Sequence, residues 1–342
     1  MVVRKLRLPL KATELVAAFG ARKVQALARA ISIVERREPG AGRLLQLLCE
    51  HAPAPRVSGF TGPPGAGKST LVNAVIGELR KQNQSVAVLA VDPNSPHSGG
   101  AVLGDRIRMA THALDPCVFV RSMGARGHVG GLAFAVRDST RLLGAFGFDA
   151  VLLETVGVGQ SELEVAALAD TTVLVLTPGQ GDGVQMLKAG VMEIADVFVV
   201  NKADQRGAQT TVKEIRHALN LGPHMEWRPP IIKTIAPTGE GAAELVAALA
   251  AHDRFLASGD NRAAKREQQL RAEVVGLVEE WARNRACAVM SRDPSLIAEL
   301  LDDGFPYATV DAVVREILAA GEHAGNVRRR APAKEDKSSA VR

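Results

Sequence analysis

The chain has 342 residues, 46% of them hydrophobic, and a net charge of +5, which suffices for one α/β domain with extensions. Neither an apolar run of about 18 residues nor a signal peptide is evident, so we expect a cytoplasmic protein whose three cysteines are free thiols. Residues 326–342 hold six basic and two acidic residues, so the body of the chain is near neutral and we expect it to bind neither nucleic acid nor a membrane.

The first segment, residues 1–55, has apolar residues at helical spacing and ends in a proline-containing linker. We therefore predict a helical N-terminal extension. Residues 56–255 alternate Val-rich strands with helical patterns, which predicts an α/β domain with a mostly parallel sheet flanked by helices. The predicted strands are Arg56–Thr61, Ser85–Asp92, Cys117–Arg121, Asp149–Thr155, Thr171–Thr177, Val197–Asn201 and Pro230–Ile235.

A phosphate-binding loop follows the first predicted strand and runs into a helical pattern at Thr70. Its residues, which match G-x-x-x-x-G-K-[ST], are Gly62, Pro63, Pro64, Gly65, Ala66, Gly67, Lys68 and Ser69. The glycines let backbone N–H groups point at a phosphate, and the helix adds its positive dipole end. Lys68 could reach the β- and γ-phosphates, and Ser69 could offer its hydroxyl to Mg²⁺. The sequence thus predicts a nucleoside triphosphate site with Mg²⁺ as cofactor.

Three acidic residues could lie near the metal. Asp92 ends the second strand, Asp105 lies in a later loop, and Glu154 ends the fourth strand. Such carboxylates could hold Mg²⁺ directly or through its waters; a capping role remains the alternative for Asp92 and Asp105. Gly157 follows Glu154 at the spacing of a γ-phosphate-sensing D-x-x-G motif, with Glu in place of Asp, and could give its N–H to that phosphate.

A glycine-rich loop, Gly179 to Gly183, is followed by Lys188. Glycine makes a loop easy to rearrange, so this segment could be a switch. Lys188 could then stabilise charge in the transition state, as arginine fingers do. A solvent-exposed helix residue is the alternative interpretation of Lys188.

A guanine-reading motif, N-K-x-D, follows the sixth strand as Asn201, Lys202 and Asp204. The Asp carboxylate accepts hydrogen bonds from guanine N1–H and its amine, whereas adenine would leave it facing a lone pair. Lys202 would lie along the base, and Asn201 would join the motif to the phosphate loop. A backbone N–H in the segment from Thr234 to Ala236 could meet the guanine oxygen. We therefore predict that GTP and GDP, not ATP, are the ligands.

Residues 256–325 return to helical spacing, and residues 326–342 form a basic segment that we predict to be disordered. The helices could cap the sheet or form a dimerisation arm. We favour the dimerisation arm and hence expect a homodimer.

The order of these motifs resembles the MeaB/ArgK family of GTPases, the chaperones of methylmalonyl-CoA mutase. The resemblance rests on G-P-P-G-A-G-K-S, E-T-V-G-V-G-Q-S-E, P-G-Q-G-D-G-V-Q-M-L-K and N-K-A-D, and covers residues 15 to 320. It implies a P-loop NTPase fold with a G domain of the SIMIBI class, and a C-terminal arm for homodimerisation. It further implies GTP hydrolysis coupled to the loading and protection of an adenosylcobalamin-dependent acyl-CoA mutase. By the matching motifs, Lys68 and Ser69 bind phosphate and Mg²⁺, and Asp92, Asp105 and Glu154 surround the metal.

The segment from Gly179 to Lys188 resembles the family's additional switch loop, called here the third switch. Two segments depart from the family pattern: Asn94–His97, where members often carry Ser-Ser-x-Arg, and Gly183 in the third switch. The general base also stays open between Glu154 acting through water and no base at all. Alternative functions are a metallocentre-insertion GTPase, a transport-associated NTPase or kinase, and a non-enzymatic GTP-dependent scaffold.

Overall fold

The computed structural model describes residues 10–50, 52–92, 112, 114–124, 131–155, 167–179, 194–222, 225–298 and 304–329. These residues divide into two compact units, Met1–Gln269 and Leu270–Arg342. The domain boundaries drawn from the sequence remain predictions.

The first unit is built on seven strands, and their positions confirm the seven predicted from the sequence. They are β1 (Arg56–Thr61), β2 (Val86–Asp92), β3 (Val118–Gly124), β4 (Ala150–Thr155), β5 (Thr171–Leu176), β6 (Val197–Asn201) and β7 (Ile231–Thr234). Four of them begin one residue later than the pattern suggested, and β3 runs to Gly124.

Helices precede, separate and follow these strands. They are α1 (Leu10–Gly20), α2 (Val24–Glu35), α3 (Ala41–Cys49), α4 (Lys68–Lys81), α5 (Gly131–Phe146), α6 (Ala208–Leu221), α7 (Ala242–Ala257), α8 (Asn261–Arg292) and α9 (Pro306–Arg329). None of the helices in the described part of the chain is both long enough and apolar enough to cross a bilayer.

The strands form one sheet in the order β3-β2-β4-β1-β5-β6-β7, and every neighbouring pair is parallel. All carboxyl ends therefore lie along one edge, where ligands bind in open α/β sheets. β1 occupies the centre, with Phe60 paired with Glu154 of β4 and Thr61 paired with Leu174 of β5.

Helices cover both faces of the sheet, because the strands carry apolar side chains on both sides. All six residues of β4 are buried, and so are all six of β5. On one face Val151 and Leu153 pack with α2 and α5; on the other Leu152 packs with α4 and α7. This alternation is the two-residue period of a strand buried between two layers.

The N-terminal helices pack on α5 as part of the first unit. Phe19 of α1 meets Phe146 of α5 edge to face, with ring centroids 5.2 Å apart. The linker after α3 crosses α5 so closely that a Cβ at Gly144 would lie 2.4 Å from Cδ of Pro55. Glycine at this point of α5 lets the linker lie directly on the helix.

Aspartates tie the amino ends of the strands together. Each precedes a strand, and its carboxylate accepts a backbone N–H from the neighbouring one. Asp149 binds the N–H of Ser85 at 2.8 Å, Asp170 that of Val57 at 2.9 Å, and Asp196 that of Thr172 at 2.8 Å. These bonds satisfy donors that the ladder leaves unpaired at its beginning.

The second unit, Leu270–Arg342, is helical in its described part, which comprises the remainder of α8 and α9. Its α8 segment exposes a face of large apolar side chains. Val274 is 59% exposed, Val278 58% and Trp281 53%. Their i, i+4, i+7 spacing places them on one stripe of the helix.

Candidate functional site

The predicted phosphate loop joins the carboxyl end of β1 to the amino end of α4, at the middle of the sheet. Gly62 has φ 143°, and a Cβ there would lie 2.1 Å from the carbonyl oxygen of Val175. Gly67 has φ 86° and caps α4. Glycine is therefore required at both ends of the loop, by close approach at Gly62 and by left-handed backbone at Gly67.

Lys68 is the first residue of α4, and its side chain folds back into the loop. Its Nζ donates to the carbonyl oxygen of Gly62 at 2.6 Å and to that of Pro63 at 3.0 Å, and the residue is 6% exposed. Carbonyl dipoles thus hold a buried ammonium group at the concave side of the loop. A phosphate in the loop would meet this positive charge together with the amino end of α4.

Ser69 and Glu154 form the second polar pair of the site. The Ser69 hydroxyl donates to Oε1 of Glu154, and both residues are more than 90% buried. The contact follows from the topology, since β4 lies beside β1 and Glu154 pairs with Phe60. A hydroxyl and a carboxylate side by side are the oxygen ligands that suit Mg²⁺, so these two residues could hold that ion.

Of the other predicted site residues, Asp92 ends β2, whose preceding residue Val91 pairs with Thr155 of β4. The backbone therefore brings Asp92 to the same edge as Glu154. Asp105, Gly157 and Lys188 lie outside the described residues.

Asn201 ends β6 and joins three segments. It is 1% exposed. Its Nδ2 donates to the carbonyl oxygen of Ala66 at 2.8 Å, while its Oδ1 accepts from Oγ1 of Thr234 at 3.0 Å and from the N–H of Ala236 at 3.1 Å. The amide thereby connects the phosphate loop to β6 and to the end of β7.

The residues after Asn201 curl over the loop. Lys202 has a left-handed backbone with φ 56°, and its Nζ donates to the carbonyl oxygen of Gly65 at 2.9 Å. The N–H of Ala203 donates to the carbonyl oxygen of Thr234 at 3.0 Å. Asp204 follows and is exposed. Asp204 is therefore an exposed carboxylate at the rim of the candidate site, three residues after the buried Asn201.

Two backbone N–H groups of the segment after β7 have partners within the protein. The N–H of Ala236 is engaged by Asn201, and that of Ile235 donates to the carbonyl oxygen of Glu240 at 3.0 Å. The guanine contact expected of this segment remains a prediction. The hydrogen bond from Thr234 to Asn201 was not predicted from the sequence. The signal that could have indicated it is the position of Thr234 at the end of β7, because β7 pairs with β6, which ends in Asn201.

No group of three or more His, Cys, Asp or Glu side chains that could hold a metal ion occurs among the residues with described positions. The polar groups of the site are instead a lysine, a serine–glutamate pair and the Asn201 network. Together with the loop they provide anion binding, a carboxylate–hydroxyl pair and a rim carboxylate, which is the chemistry of a nucleotide site.

The sheet, the loop and the N-K-x-D segment define a P-loop nucleotide-binding protein of the GTPase class. The chain belongs to the family described as methylmalonyl Co-A mutase-associated GTPase MeaB, whose model matches residues 27–291. It therefore binds GTP and hydrolyses it.

Two relatives and one solved structure illustrate the similarity. A Pyrococcus horikoshii protein named as a GTPase is 44% identical, over 86% of this chain and 94% of its own length. The mouse methylmalonic aciduria type A homolog, mitochondrial, is 34% identical, over 74% of this chain and 66% of its own length. The crystal structure of an LAO/AO transport system kinase has a TM-score of 0.68 and 27% identity, covering 92% of this chain and all of that one.

Proposed function

We propose that the chain is a GTP-driven switch for an adenosylcobalamin-dependent acyl-CoA mutase, with methylmalonyl-CoA mutase as the first candidate. In this role it gates cofactor loading and protects the mutase from inactivation. The observation that carries the proposal is the family match over residues 27–291, whose description names association with that mutase. The name of the mouse relative points to the same metabolism.

The nucleotide lies along the carboxyl edge of the sheet. The backbone N–H groups of residues 62–70, except Pro63 and Pro64, which have none, surround the phosphates. Lys68 moves from its carbonyl partners to the β- and γ-phosphates. Gly157 donates to the γ-phosphate. Asp204 reads guanine, Lys202 covers the base, and the segment from Thr234 to Ala236 supports it.

Mg²⁺ fits the site because Ser69 and Glu154 supply adjacent buried oxygens. Ser69 is the direct ligand, and Glu154, Asp92 and Asp105 hold the ion or its waters. When bound, the ion supplies positive charge to the phosphate oxygens.

Catalysis then rests on positioning and charge. Lys68 offsets charge that develops on the γ-phosphate, and Lys188 enters from the third switch to complete the site. Glu154 orients water through its carboxylate. In this proposal the partner brings Lys188 to the site, so hydrolysis is slow in the chain alone and rises with the partner.

A homodimer completes the proposal, with residues 256–325 as its arm and 56–255 as the G domain. Residues 1–55 are the N-terminal extension, and 326–342 are a basic tail. The exposed apolar stripe on α8 supports an arm with a partner surface.

A transport-associated NTPase or kinase is the second candidate, favoured by the similarity to the LAO/AO transport system kinase structure. A kinase would transfer phosphate to an acceptor, whereas the proposed switch releases it to water. Incubation with γ-labelled GTP distinguishes the two, since the switch leaves all label as free phosphate.

The proposal is tested by cofactor transfer. Apo-mutase is mixed with adenosylcobalamin and this chain in GTP, GDP or a non-hydrolysable GTP analogue, and mutase activity is followed through repeated turnover. We expect GTP to preserve activity longer than GDP or the analogue. Equal decay with every nucleotide and with no added chain would contradict the chaperone role while leaving the GTPase intact.

A further inference from the structure

A cavity of about 230 Å³ lies at the amino end of β1, on the edge of the sheet opposite the phosphate loop. Val57 of β1 and Asp170, which precedes β5, form part of its wall. Because parallel strands carry their ligand loops at the carboxyl edge, this cavity is separate from the nucleotide site. Its volume approaches the about 300–1,000 Å³ typical of ligand sites and suits a small metabolite.

Three guanidinium groups line the cavity, from Arg137 and Arg141 of α5 and Arg266 of α8. Arg137 and Arg141 are one helical turn apart, a spacing at which like charges repel. Arg141 also contacts Asp138 at 3.1 Å. A convergence of cations from two helices is favourable when an anion lies between them, and arginine suits carboxylate and phosphate because its donors are planar and forked.

The carboxylate in the wall is engaged by the neighbouring strand, β1. Asp170 accepts the N–H of Val57 at 2.9 Å. Lys265 donates to the backbone carbonyl oxygen of Asp170 at 2.5 Å, and Gln269 donates to the carbonyl oxygen of Ala169 at 3.2 Å. These hydrogen bonds hold the first turns of α8 against the sheet and thereby fix the backbone position of Arg266.

The rest of the wall is apolar or neutral. Its members are Cys49, Ala52, Pro53, Ala54, Pro55, Val57, Thr140, Leu168 and Gln269. Burial raises the pKa of the Cys49 thiol to about 11, so it is uncharged at neutral pH and serves as part of the apolar surface. A wall that combines three arginines with apolar side chains matches a molecule with an anionic head and a short hydrocarbon body.

We propose that this cavity binds a small organic anion, with its carboxylate or phosphate head on Arg137, Arg141 and Arg266 and its hydrocarbon body on the proline-lined wall. The site is independent of GTP and goes beyond the proposed function. A ligand bound in this cavity would contact α5, α8 and the linker after α3 at the same time.

Cys49 offers a local readout. The full chain, saturated with GDP so that phosphate compounds cannot enter the nucleotide site, is alkylated with iodoacetamide in the presence of butyrate, butyl phosphate or inorganic phosphate. Mass spectrometry gives the labelling rate of each cysteine, and the exposed Cys287 is the internal control. We expect butyrate or butyl phosphate to slow Cys49 labelling saturably, several-fold at about 10 mM, with Cys287 unchanged. The more effective of the two identifies the head group.

Arg141→Gln and Arg266→Gln should raise the half-protecting concentration about 10-fold, while Arg216→Gln on the exposed face of α6 should leave it unchanged. Protection by neither organic anion, or protection that both arginine variants retain, would overturn the proposal. Equal protection by inorganic phosphate and butyl phosphate would overturn the role of the apolar wall.

Discussion

Asn201 shows how one side chain holds the nucleotide end of the fold together. Its amide lies so close to the loop that a Cβ at Gly67 would lie 2.4 Å from Nδ2. It makes three buried hydrogen bonds, donating one to Ala66 and accepting two from Thr234 and Ala236. Removing one partner of a buried hydrogen bond is costly in stability, because the other partner is left unsatisfied and away from water.

Asn201→Ala leaves the Thr234 hydroxyl and the Ala236 N–H buried without their acceptor. We expect a loss of about 2–6 kcal/mol in the free energy of unfolding, at about 1–3 kcal/mol for each of the two unsatisfied groups. Urea titration followed by circular dichroism measures it, with Asn220→Ala on the exposed end of α6 as control. A loss equal to that of the control would mean that water replaces the amide.

Asp204→Asn tests the choice of base. The carboxamide can still accept from guanine N1–H but places a donor against the exocyclic amine, so GTP affinity should fall at least about 100-fold. Xanthosine triphosphate, which has a carbonyl oxygen in place of that amine, should gain affinity. Competition binding with labelled GDP measures both, with Asp260→Asn as the exposed control. Retained GTP preference would show that Asp204 does not read the base.

The strands illustrate what local sequence can and cannot predict. All seven strands could be predicted from Val-rich runs, and the phosphate loop from the motif between Gly62 and Ser69. Both features depend mainly on residues that are neighbours along the chain. The order β3-β2-β4-β1-β5-β6-β7 depends instead on which helices cover which face. Contacts that follow from that order, such as Ser69 with Glu154 or Asp170 with Val57, therefore could not be predicted from local sequence alone.

A buried histidine links elements at the amino edge of the sheet. His252 of α7 is 2% exposed; its Nδ1 lies 2.8 Å from Oγ1 of Thr171, and its Nε2 lies 3.3 Å from Oδ1 of Asp196. Burial lowers its pKa despite Asp196, and Lys265 acts in the same direction as burial. Asp253 and Arg262 are the other charges that act on it.

Because this pKa is lowered, the unfolded chain binds the proton more readily. The stabilising contribution is complete above pH about 6.5 and is lost as pH falls from there through the folded pKa. Burial raises the pKa of Asp170, which gives the opposite slope at lower pH. We expect His252→Gln to flatten the decline in melting temperature between pH about 6.5 and 5, and His217→Gln, exposed on α6, to preserve it. An unchanged slope in His252→Gln would assign the decline to other groups.

At the scale of the whole molecule, the exposed apolar stripe of Val274, Val278 and Trp281 predicts self-association. Val278→Glu with Trp281→Glu should convert the proposed homodimer to a monomer, because two buried charges in an apolar interface cost several kcal/mol. Light scattering after gel filtration gives the mass, and Leu221→Glu, at a 75% exposed position outside the stripe, is the control. A monomeric wild-type chain would refute the dimerisation arm.

Steady-state GTP hydrolysis, with and without a purified adenosylcobalamin-dependent acyl-CoA mutase, tests the central claim most directly. We expect kcat to rise at least about 10-fold with the mutase, since a supplied cation stabilises transition-state charge. Lys188→Ala should abolish that rise, and Lys213→Ala on the exposed face of α6 should retain it. An unchanged kcat with GTP still tightly bound would contradict the assignment of this mutase class as partner.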